Sequence, residues 1–239
     1  MKIIVLAVKP YKEKDAIITA ISEKESLTFL VRSLYGPRAK NGSLKNALSM
    51  ADIDLMEGNF KHPILKSSKE LFTPLKVDMN EKYLGALLLV NEIMLNLFME
   101  EERYKAYEYL KGALKNLKKN SADWLLTLVL FISHVIKLGG FSLEVNKCVN
   151  CGARKNIVTF SFRDGGFICQ DCFSPEMGKD LNRAQMLFFR KVVRCEDYSL
   201  TNEELPEEDL LGLFNRLMQF LEESFGYHFK NLNLLIDSK

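Results

Sequence analysis

The segment from residue 148 to residue 172 reads CVNCGARKNIVTFSFRDGGFICQDC. It contains two Cys-x-x-Cys pairs, Cys148 with Cys151 and Cys169 with Cys172. Each pair can direct two thiolates at one metal ion, and two pairs complete a tetrahedral Cys₄ shell for Zn²⁺. Because all four ligands come from the protein, no coordination position stays open for a substrate. The spacing therefore predicts one structural zinc ion and not a catalytic one.

The residues between the two cysteine pairs favour a β-hairpin. Ile157–Phe162 is rich in β-branched and aromatic residues, as expected of a strand. Asp164–Gly166 has the composition of a turn, and Phe167–Ile168 leads back to the second pair. We therefore expect a zinc-binding hairpin at about residues 146–174.

Other uses of the four cysteines agree less well with the sequence. Disulfides need an oxidising compartment, and the apolar start of the chain is too short for a signal peptide. A redox Cys-x-x-Cys normally occurs singly beside a βαβ pattern, and the ligands of iron–sulfur clusters use other spacings. The fifth cysteine, Cys195, lies in an apolar helical stretch and is expected to be a buried packing residue. Cysteine usage thus indicates a reducing, cytoplasmic environment.

The composition is that of one or two soluble globular domains. The chain has 239 residues, of which 47% are hydrophobic and 27% are charged. The net charge is only +2, so any affinity for nucleic acid must come from local patches. The apolar stretches Leu84–Met99 and Trp124–Ile136 are too short, or too often interrupted by polar residues, to span a membrane. We expect them to be buried helices and expect no membrane partner.

Two different patterns divide the chain. From Met1 to about Lys76, apolar runs of strand length alternate with polar turns, which is typical of a small β-barrel or sandwich. The remainder follows helical periodicity. The predicted helices are Tyr83–Met99, Glu100–Lys119, Trp124–Leu138, Asn182–Cys195 and Pro206–Phe225. The sequence therefore predicts an α+β protein, with a β module at residues 1–77 and a helical domain carrying the zinc hairpin at residues 78–239.

The β module carries an excess of basic residues. Residues 1–76 contain 13 Lys and Arg against 8 Asp and Glu. Gly36, Pro37 and Gly42 place a basic stretch in a loop, close to Tyr35. Such a loop suits a phosphate clamp with an aromatic partner for a base, although a solvated surface loop has the same composition. The candidate DNA-binding residues are Lys9, Arg32, Tyr35, Arg38, Lys40, Lys45, Lys61 and Lys66.

A nuclease is the competing hypothesis for a nucleic-acid-binding protein. It would need clustered carboxylates to hold Mg²⁺. The nearest candidates are Asp52, Asp54 and Glu57, and alternation along a strand would place Asp52 and Asp54 on one face. Because they lie beside the basic loop, they are better explained as balancing its charge. We therefore expect no enzymatic activity.

Several segments together resemble the RecO family of bacterial DNA repair proteins, over nearly the whole chain. The cysteine-rich parts, Cys148–Gly152 and Phe160–Cys169, are the most specific. The other segments are Tyr11–Asp15, Tyr35–Arg38 and Leu138–Leu143. The basic loop reads Tyr-Gly-Pro-Arg where the family more often has Gly-Ala-Arg-Lys.

The resemblance implies the fold of the first domain and a non-enzymatic function. It makes the β module an OB-fold and the chain a cytoplasmic recombination mediator that associates with the nucleoid when it acts. Proteins of this family bind single- and double-stranded DNA and anneal complementary strands. The implied protein partners are the C-terminal tail of the single-stranded DNA-binding protein (SSB) and RecR, with functional links to RecA and RecF. A protein adaptor with incidental DNA affinity is the alternative.

Overall fold

Five strands at the start of the chain close into a barrel. The computed structural model describes residues 1–37, 39, 41–56, 58, 61–75, 79–119, 121–200 and 205–236. The strands are β1 (Lys2–Tyr11), β2 (Asp15–Ile21), β3 (Ser26–Val31), β4 (Met50–Met56) and β5 (Ile64–Phe72). They pair in the order β1-β2-β3-β5-β4, and β4 returns to β1. A parallel contact between Leu30 and Ile64 closes the barrel, while the other pairs are antiparallel. This small Greek-key barrel is OB-like and confirms the predicted β module.

Alternate residues of the strands fill the barrel. Ile3, Val5, Ala16, Ile18 and Phe29 point to the same interior, as the two-residue period of a strand requires. A short 3₁₀ helix, Gly42–Lys45, adds Leu44 to this core, and Leu44 is fully buried. The hydrophobic interior leaves the polar turns at the strand ends for other functions.

The chain divides into two compact units. Unit 1 consists of Met1–Lys119 and Phe229–Lys239, and unit 2 is Asn120–His228. Unit 1 thus contains the barrel together with the helices α1 (Glu81–Asn96) and α2 (Tyr107–Lys119). The predicted domain boundary at residues 77 and 78 falls within unit 1 and stays a prediction.

Side-chain hydrogen bonds satisfy backbone groups at both ends of helix α1. The Asn80 side chain accepts a hydrogen bond of 2.7 Å from the backbone N–H of Tyr83 and caps the first turn. At the other end, Arg103 donates to the carbonyl of Leu95 at 2.7 Å. Arg103 belongs to a 3₁₀ helix, Glu100–Ala106, so the predicted helix Glu100–Lys119 is α-helical only from Tyr107 onward.

A buried carboxylate on α1 binds the C-terminal segment of unit 1. Glu92 is 7% exposed, and its oxygens accept hydrogen bonds from the backbone N–H groups of Lys230 and Asn231 at 2.9 and 3.0 Å. The Asn231 side chain donates a third bond at 2.8 Å. The returning segment contains a 3₁₀ helix, Lys230–Leu232, and the short helix α6 (Asn233–Ile236). Glu92 therefore holds together residues far apart in sequence.

Unit 2 packs three helices against a small sheet. The helices are α3 (Trp124–Leu138), α4 (Arg183–Arg194) and α5 (Glu207–Phe225). The strands β6 (Glu144–Cys148), β7 (Ile157–Ser161) and β8 (Gly166–Cys169) form the sheet in the order β6-β8-β7. The pair β7 and β8 is the predicted hairpin, and β6 pairs with β8 in parallel. The predicted helices Trp124–Leu138, Asn182–Cys195 and Pro206–Phe225 are confirmed within one residue at each end.

One described segment, Ser121–Leu138, is long and apolar enough to cross a membrane. However, 67% of it is buried inside the structure. Since the core helix of a soluble protein has the same length and composition, this segment is weak evidence for a membrane span.

We predict that Glu92→Ala destabilises the chain by about 3 kcal/mol, because it removes hydrogen bonds to a buried charged acceptor. Urea unfolding followed by circular dichroism measures this loss. The matched control is Glu108→Ala, which removes an exposed pair with Lys111 and should cost less than about 1 kcal/mol. Equal losses in the two variants would contradict the role given to Glu92.

Candidate metal centre and nucleic-acid interface

The four predicted cysteines converge on one point of unit 2. Cys148 ends β6 and Cys169 ends β8, while Cys151 and Cys172 lie in the turns that follow. Their four Sγ atoms all lie within 4.8 Å of one another, and those of Cys151 and Cys169 are 3.5 Å apart. Zn–S bonds of about 2.3 Å in a tetrahedron place the sulfurs about 3.8 Å apart. The arrangement therefore fits a single tetrahedral metal ion.

Tight turns after β6 and β8 aim the second thiol of each pair back at the first. In the first turn, the backbone N–H of Gly152 donates to the carbonyl of Cys148 at 2.9 Å. Gly152 has a φ of 77°, a left-handed conformation that glycine adopts without steric cost. In the second turn, the N–H of Cys172 donates to the carbonyl of Cys169 at 3.1 Å.

The electrostatics of the four thiols favour a bound cation. Burial raises the pKa of Cys148, but backbone N–H groups donating to its sulfur outweigh burial and bring the pKa down to about 6. By contrast, the hydrogen bond with the Cys151 thiol, together with burial, raises the pKa of Cys172 to about 12. One thiolate is thus stabilised by the backbone, while further thiolates need a positive charge between them. A divalent ion with four thiolate ligands supplies that charge.

The predicted DNA-binding residues that the structure describes are exposed. These are Lys9, Arg32, Tyr35, Lys45, Lys61 and Lys66. Arg38 and Lys40 lie outside the described residues. Lys66 forms an ion pair with Asp54 at 3.1 Å, so its charge is partly balanced.

The structure brings some of these residues together at one end of the barrel. The Tyr35 backbone N–H donates to the Lys14 carbonyl at 2.9 Å, which joins the segment after β3 to the β1–β2 turn. The ammonium group of Lys45 lies 5.7 Å from the centre of the Tyr35 ring. In the β1–β2 turn, the Lys12 ammonium lies 5.4 Å from the Tyr11 ring. We call Tyr11, Lys12, Lys14, Arg32, Tyr35 and Lys45 the barrel-end cluster.

The chemistry of the barrel-end cluster suits a nucleic-acid strand. Tyr11 and Tyr35 are 41% and 42% exposed, so parts of their rings are open to a base. Ammonium groups next to stacking aromatic rings are the combination that holds single strands without sequence preference. The Leu30 N–H donates to the Pro63 carbonyl at 2.9 Å, which places the segment before β5, with Lys61, beside the end of β3. OB-folds bind oligonucleotides with the loops after strands 1 and 4.

Tyr11, Lys12 and Lys14 were not among the residues predicted from the sequence to bind DNA. The local signal was weak, because this turn has a single aromatic residue, Tyr11, and its two lysines alternate with Glu13 and Asp15. The missing information was the contact between this turn and Tyr35. That contact joins residues 21 positions apart and has no local sequence signature.

Comparison with known proteins gives the family. A family model described as "Recombination protein O C terminal" matches residues 81–233. The chain belongs to the RecO family. A DNA repair protein RecO from Bacillus pumilus is 29% identical over 72% of this chain and 68% of its own length. Those of Bacillus subtilis and Mycoplasma mycoides are each 24% identical, over 97% and 98% of this chain and 91% and 96% of their own lengths.

Membership of the RecO family supports a role in DNA repair and recombination. The matched residues run from the start of α1 to the beginning of α6 and contain the four cysteines. The resemblance noted in the sequence is thereby confirmed, and it rests on the helical and cysteine-rich part of the chain as well as on the barrel.

Within the part of the chain that the structure describes, the four cysteines are the single group of three or more His, Cys, Asp or Glu side chains close enough to share an ion. Asp52 pairs with the N-terminal amino group at 3.1 Å, and Asp54 pairs with Lys66. Glu57 lies outside the described residues. Both described carboxylates thus balance cations, but these are the N-terminal amino group and Lys66 of β5 and not the basic loop that the sequence had suggested.

A second basic surface lies on α4 and was not predicted from the sequence. It is a groove of about 610 Å³, which we call the α4 groove, lined by Ala184, Leu187, Phe188, Arg190, Lys191 and Arg194. Leu187 is 59% exposed at its centre. The described lining contains three basic residues and no carboxylate. Their spacing of three and four residues along a helix without acidic residues could have revealed this face from the sequence.

We predict that Cys169→Ser yields protein with less than one metal ion per chain and a Tm lower by roughly 10 °C, because metal binding contributes directly to folding. Metal analysis of the purified protein and thermal unfolding test this. The control is Cys195→Ser, since the Cys195 sulfur lies next to the carbonyl of Asp197, at 3.2 Å, and outside the metal-binding group. A metal-free Cys169→Ser protein of unchanged Tm would show that the centre is dispensable.

Proposed function

We propose that this chain is a non-enzymatic recombination mediator that binds single- and double-stranded DNA and anneals complementary strands. The barrel-end cluster is the observation that carries this proposal. It combines two exposed tyrosines with ammonium groups at the end of an OB-like barrel, where the β1–β2 turn and the segment before β5 each lie beside the end of β3 or the residues that follow it. The comparisons support the repair role, and the RecO proteins named above are described as DNA repair proteins.

Annealing by such a surface needs no catalytic residue. Lysine side chains neutralise phosphates, which reduces the repulsion between two approaching strands. Tyrosine rings stack on bases and hold the strand in an extended form. Pairing between complementary bases then supplies the driving force, and no covalent bond forms or breaks. A metal ion is not required at the DNA for this process.

The metal of this chain is proposed to be one structural Zn²⁺ ion. Four thiolates are a common zinc ligand set, and they leave no position for a water or substrate. Cys148, Cys151, Cys169 and Cys172 would hold it and fix the ends of β6 and β8. Its function would be to keep the sheet of unit 2 folded.

The α4 groove supports a proposed partner, the acidic C-terminal tail of SSB. An acidic tail that ends in an apolar residue needs a hydrophobic pocket beside lysine or arginine. Leu187, which is largely exposed, provides the apolar surface, and Arg190, Lys191 and Arg194 provide the charge. We further propose that the chain acts in the bacterial cytoplasm with RecR to load RecA, in a pathway shared with RecF.

A protein adaptor with incidental DNA affinity is the second candidate function. The α4 groove favours it, because the same groove would allow the chain to bind SSB-coated DNA through protein contacts alone. The two functions predict different affinities for naked DNA. A mediator binds naked DNA through the barrel-end cluster, and an adaptor binds it weakly at every site.

We predict that changing Lys12 and Lys45 together to Gln weakens binding to a single-stranded oligonucleotide about tenfold near 0.1 M salt. The slope of log K against log salt concentration should become shallower by about 0.7 for each lost phosphate contact. Fluorescence anisotropy titrations at several salt concentrations measure both. The matched control changes Lys115 and Lys119, exposed on α2, to Gln and removes the same charge elsewhere on unit 1. Equal losses in the two double variants would show that net charge, and not the cluster, binds DNA.

We predict that Lys191→Glu weakens binding of a fluorescent peptide copied from the SSB tail at least fivefold, which corresponds to roughly 1 kcal/mol for a charge-assisted contact. The control is Arg154→Glu, because Arg154 is exposed in the loop after the first cysteine pair and lies outside the α4 groove. Peptide binding that is unchanged by Lys191→Glu, or weakened equally by both variants, would show that the tail does not bind in this groove.

A further inference from the structure

Unit 2 contains a cavity that is larger than the α4 groove and that the proposed function does not use. It has a volume of about 880 Å³ and lies between the β7–β8 turn, the 3₁₀ helix Pro175–Met177 and α5. Residues 141–143, which follow α3, complete its wall. We call it the aromatic cavity, and all of its lining belongs to unit 2.

Three phenylalanines form an apolar wall of the aromatic cavity. The Phe220 ring lies 5.4 Å from Phe141 and 5.5 Å from Phe162, measured between ring centres. The first pair is edge to face, with an angle of 80° between the ring planes. Leu143 and Met177 extend this apolar surface. An inserted aromatic or long aliphatic side chain would therefore find both ring faces and ring edges to contact.

The polar rim of the cavity has an excess of negative charge. The described lining contains four carboxylates, Asp164, Glu176, Asp180 and Glu223, against two guanidinium groups, Arg163 and Arg216. Asp180 forms an ion pair with Arg216 and also accepts a hydrogen bond of 2.9 Å from the Phe162 backbone N–H. The hydrogen bond holds this ion pair at the wall of the cavity, and the charges of Asp180 and Arg216 cancel each other.

The surplus charge belongs to exposed side chains. Asp164 is held in the β7–β8 turn by Ser161, next to the cation of Arg163. Glu176 and Glu223 are exposed and have no balancing cation within the described lining of the cavity. The aromatic cavity is therefore net negative, while the α4 groove on the same unit is net positive. The two cavities select ligands of opposite charge.

We infer that the aromatic cavity docks a segment of a partner protein in which an apolar or aromatic anchor residue is flanked by lysine or arginine. The anchor inserts among Phe141, Phe162 and Phe220, and the flanking cations meet Glu176 and Glu223. Neither DNA phosphates nor an acidic tail suits this site, because the same carboxylates repel them. The chain thus has separate docking sites for an acidic and a basic partner.

The test uses two matched peptides, acetyl-Lys-Phe-Lys-amide and acetyl-Glu-Phe-Glu-amide, with the full chain carrying ¹³C-labelled methionine and alanine methyl groups. Met177 reports on the aromatic cavity and Ala184 on the α4 groove. We expect the lysine peptide to shift the Met177 methyl signal in a saturable way while leaving Ala184 unchanged. The glutamate peptide should leave the Met177 signal unchanged. A glutamate peptide that moves Met177 as strongly, or a lysine peptide that does not move it, overturns the inference.

A charge variant distinguishes docking from unspecific attraction. Changing Glu176 and Glu223 together to Gln should weaken binding of the lysine peptide at least about threefold, as expected for the loss of two exposed ion pairs. The matched control changes Glu207 and Glu208, exposed at the start of α5 and outside the cavity, to Gln. Unchanged affinity in the first variant, or an equal loss in the control, also overturns the inference. Because both readings are made without DNA, they are independent of the annealing proposal.

Discussion

The convergence of four thiol groups on one point brings together two strand ends of the small sheet in unit 2. Cys148 and Cys169 end two strands that pair in parallel, and such a pair has no short connection that would hold it. A shared metal ion would tie those strand ends together directly. The β7–β8 turn lines part of the aromatic cavity, and β6 and β7 contact α4. The aromatic cavity therefore lies partly on the hairpin that ends at this centre, whereas the α4 groove is lined by α4 alone.

The barrel has a hydrophobic interior, and its proposed DNA-binding surface lies at the strand ends. The core of unit 1 needs no metal, and the polar turns are free to carry lysine and tyrosine side chains. In unit 1 the proposed binding surface lies on turns at the end of a hydrophobic barrel. In unit 2 the helices α3, α4 and α5 supply a hydrophobic core, and the four thiols that could share a metal ion lie at the ends of β6 and β8 and in the turns that follow.

Local patterns predicted much of this architecture. Apolar runs of strand length separated by polar turns predicted the β module, helical periodicity predicted α3, α4 and α5, and the cysteine spacing predicted the group that could hold a metal. Strand β6 was not predicted, since Glu144–Cys148 is short and is ordered by its pairing with β8. The return of Lys230 and Asn231 to Glu92, and the contact of Tyr35 with the β1–β2 turn, were missed for the same reason. These contacts join distant residues, and neither partner carries a local signal of the other.

The central claim is that this chain anneals DNA by holding strands, without chemistry. The most direct measurement is the rate at which two complementary labelled oligonucleotides anneal in the presence of the folded, metal-loaded protein, without nucleotide or added Mg²⁺, and with the strands either naked or coated by SSB. The account predicts faster annealing in both cases, falling steeply as salt rises. An unchanged annealing rate on naked strands, from protein that is folded and contains its metal, would contradict it.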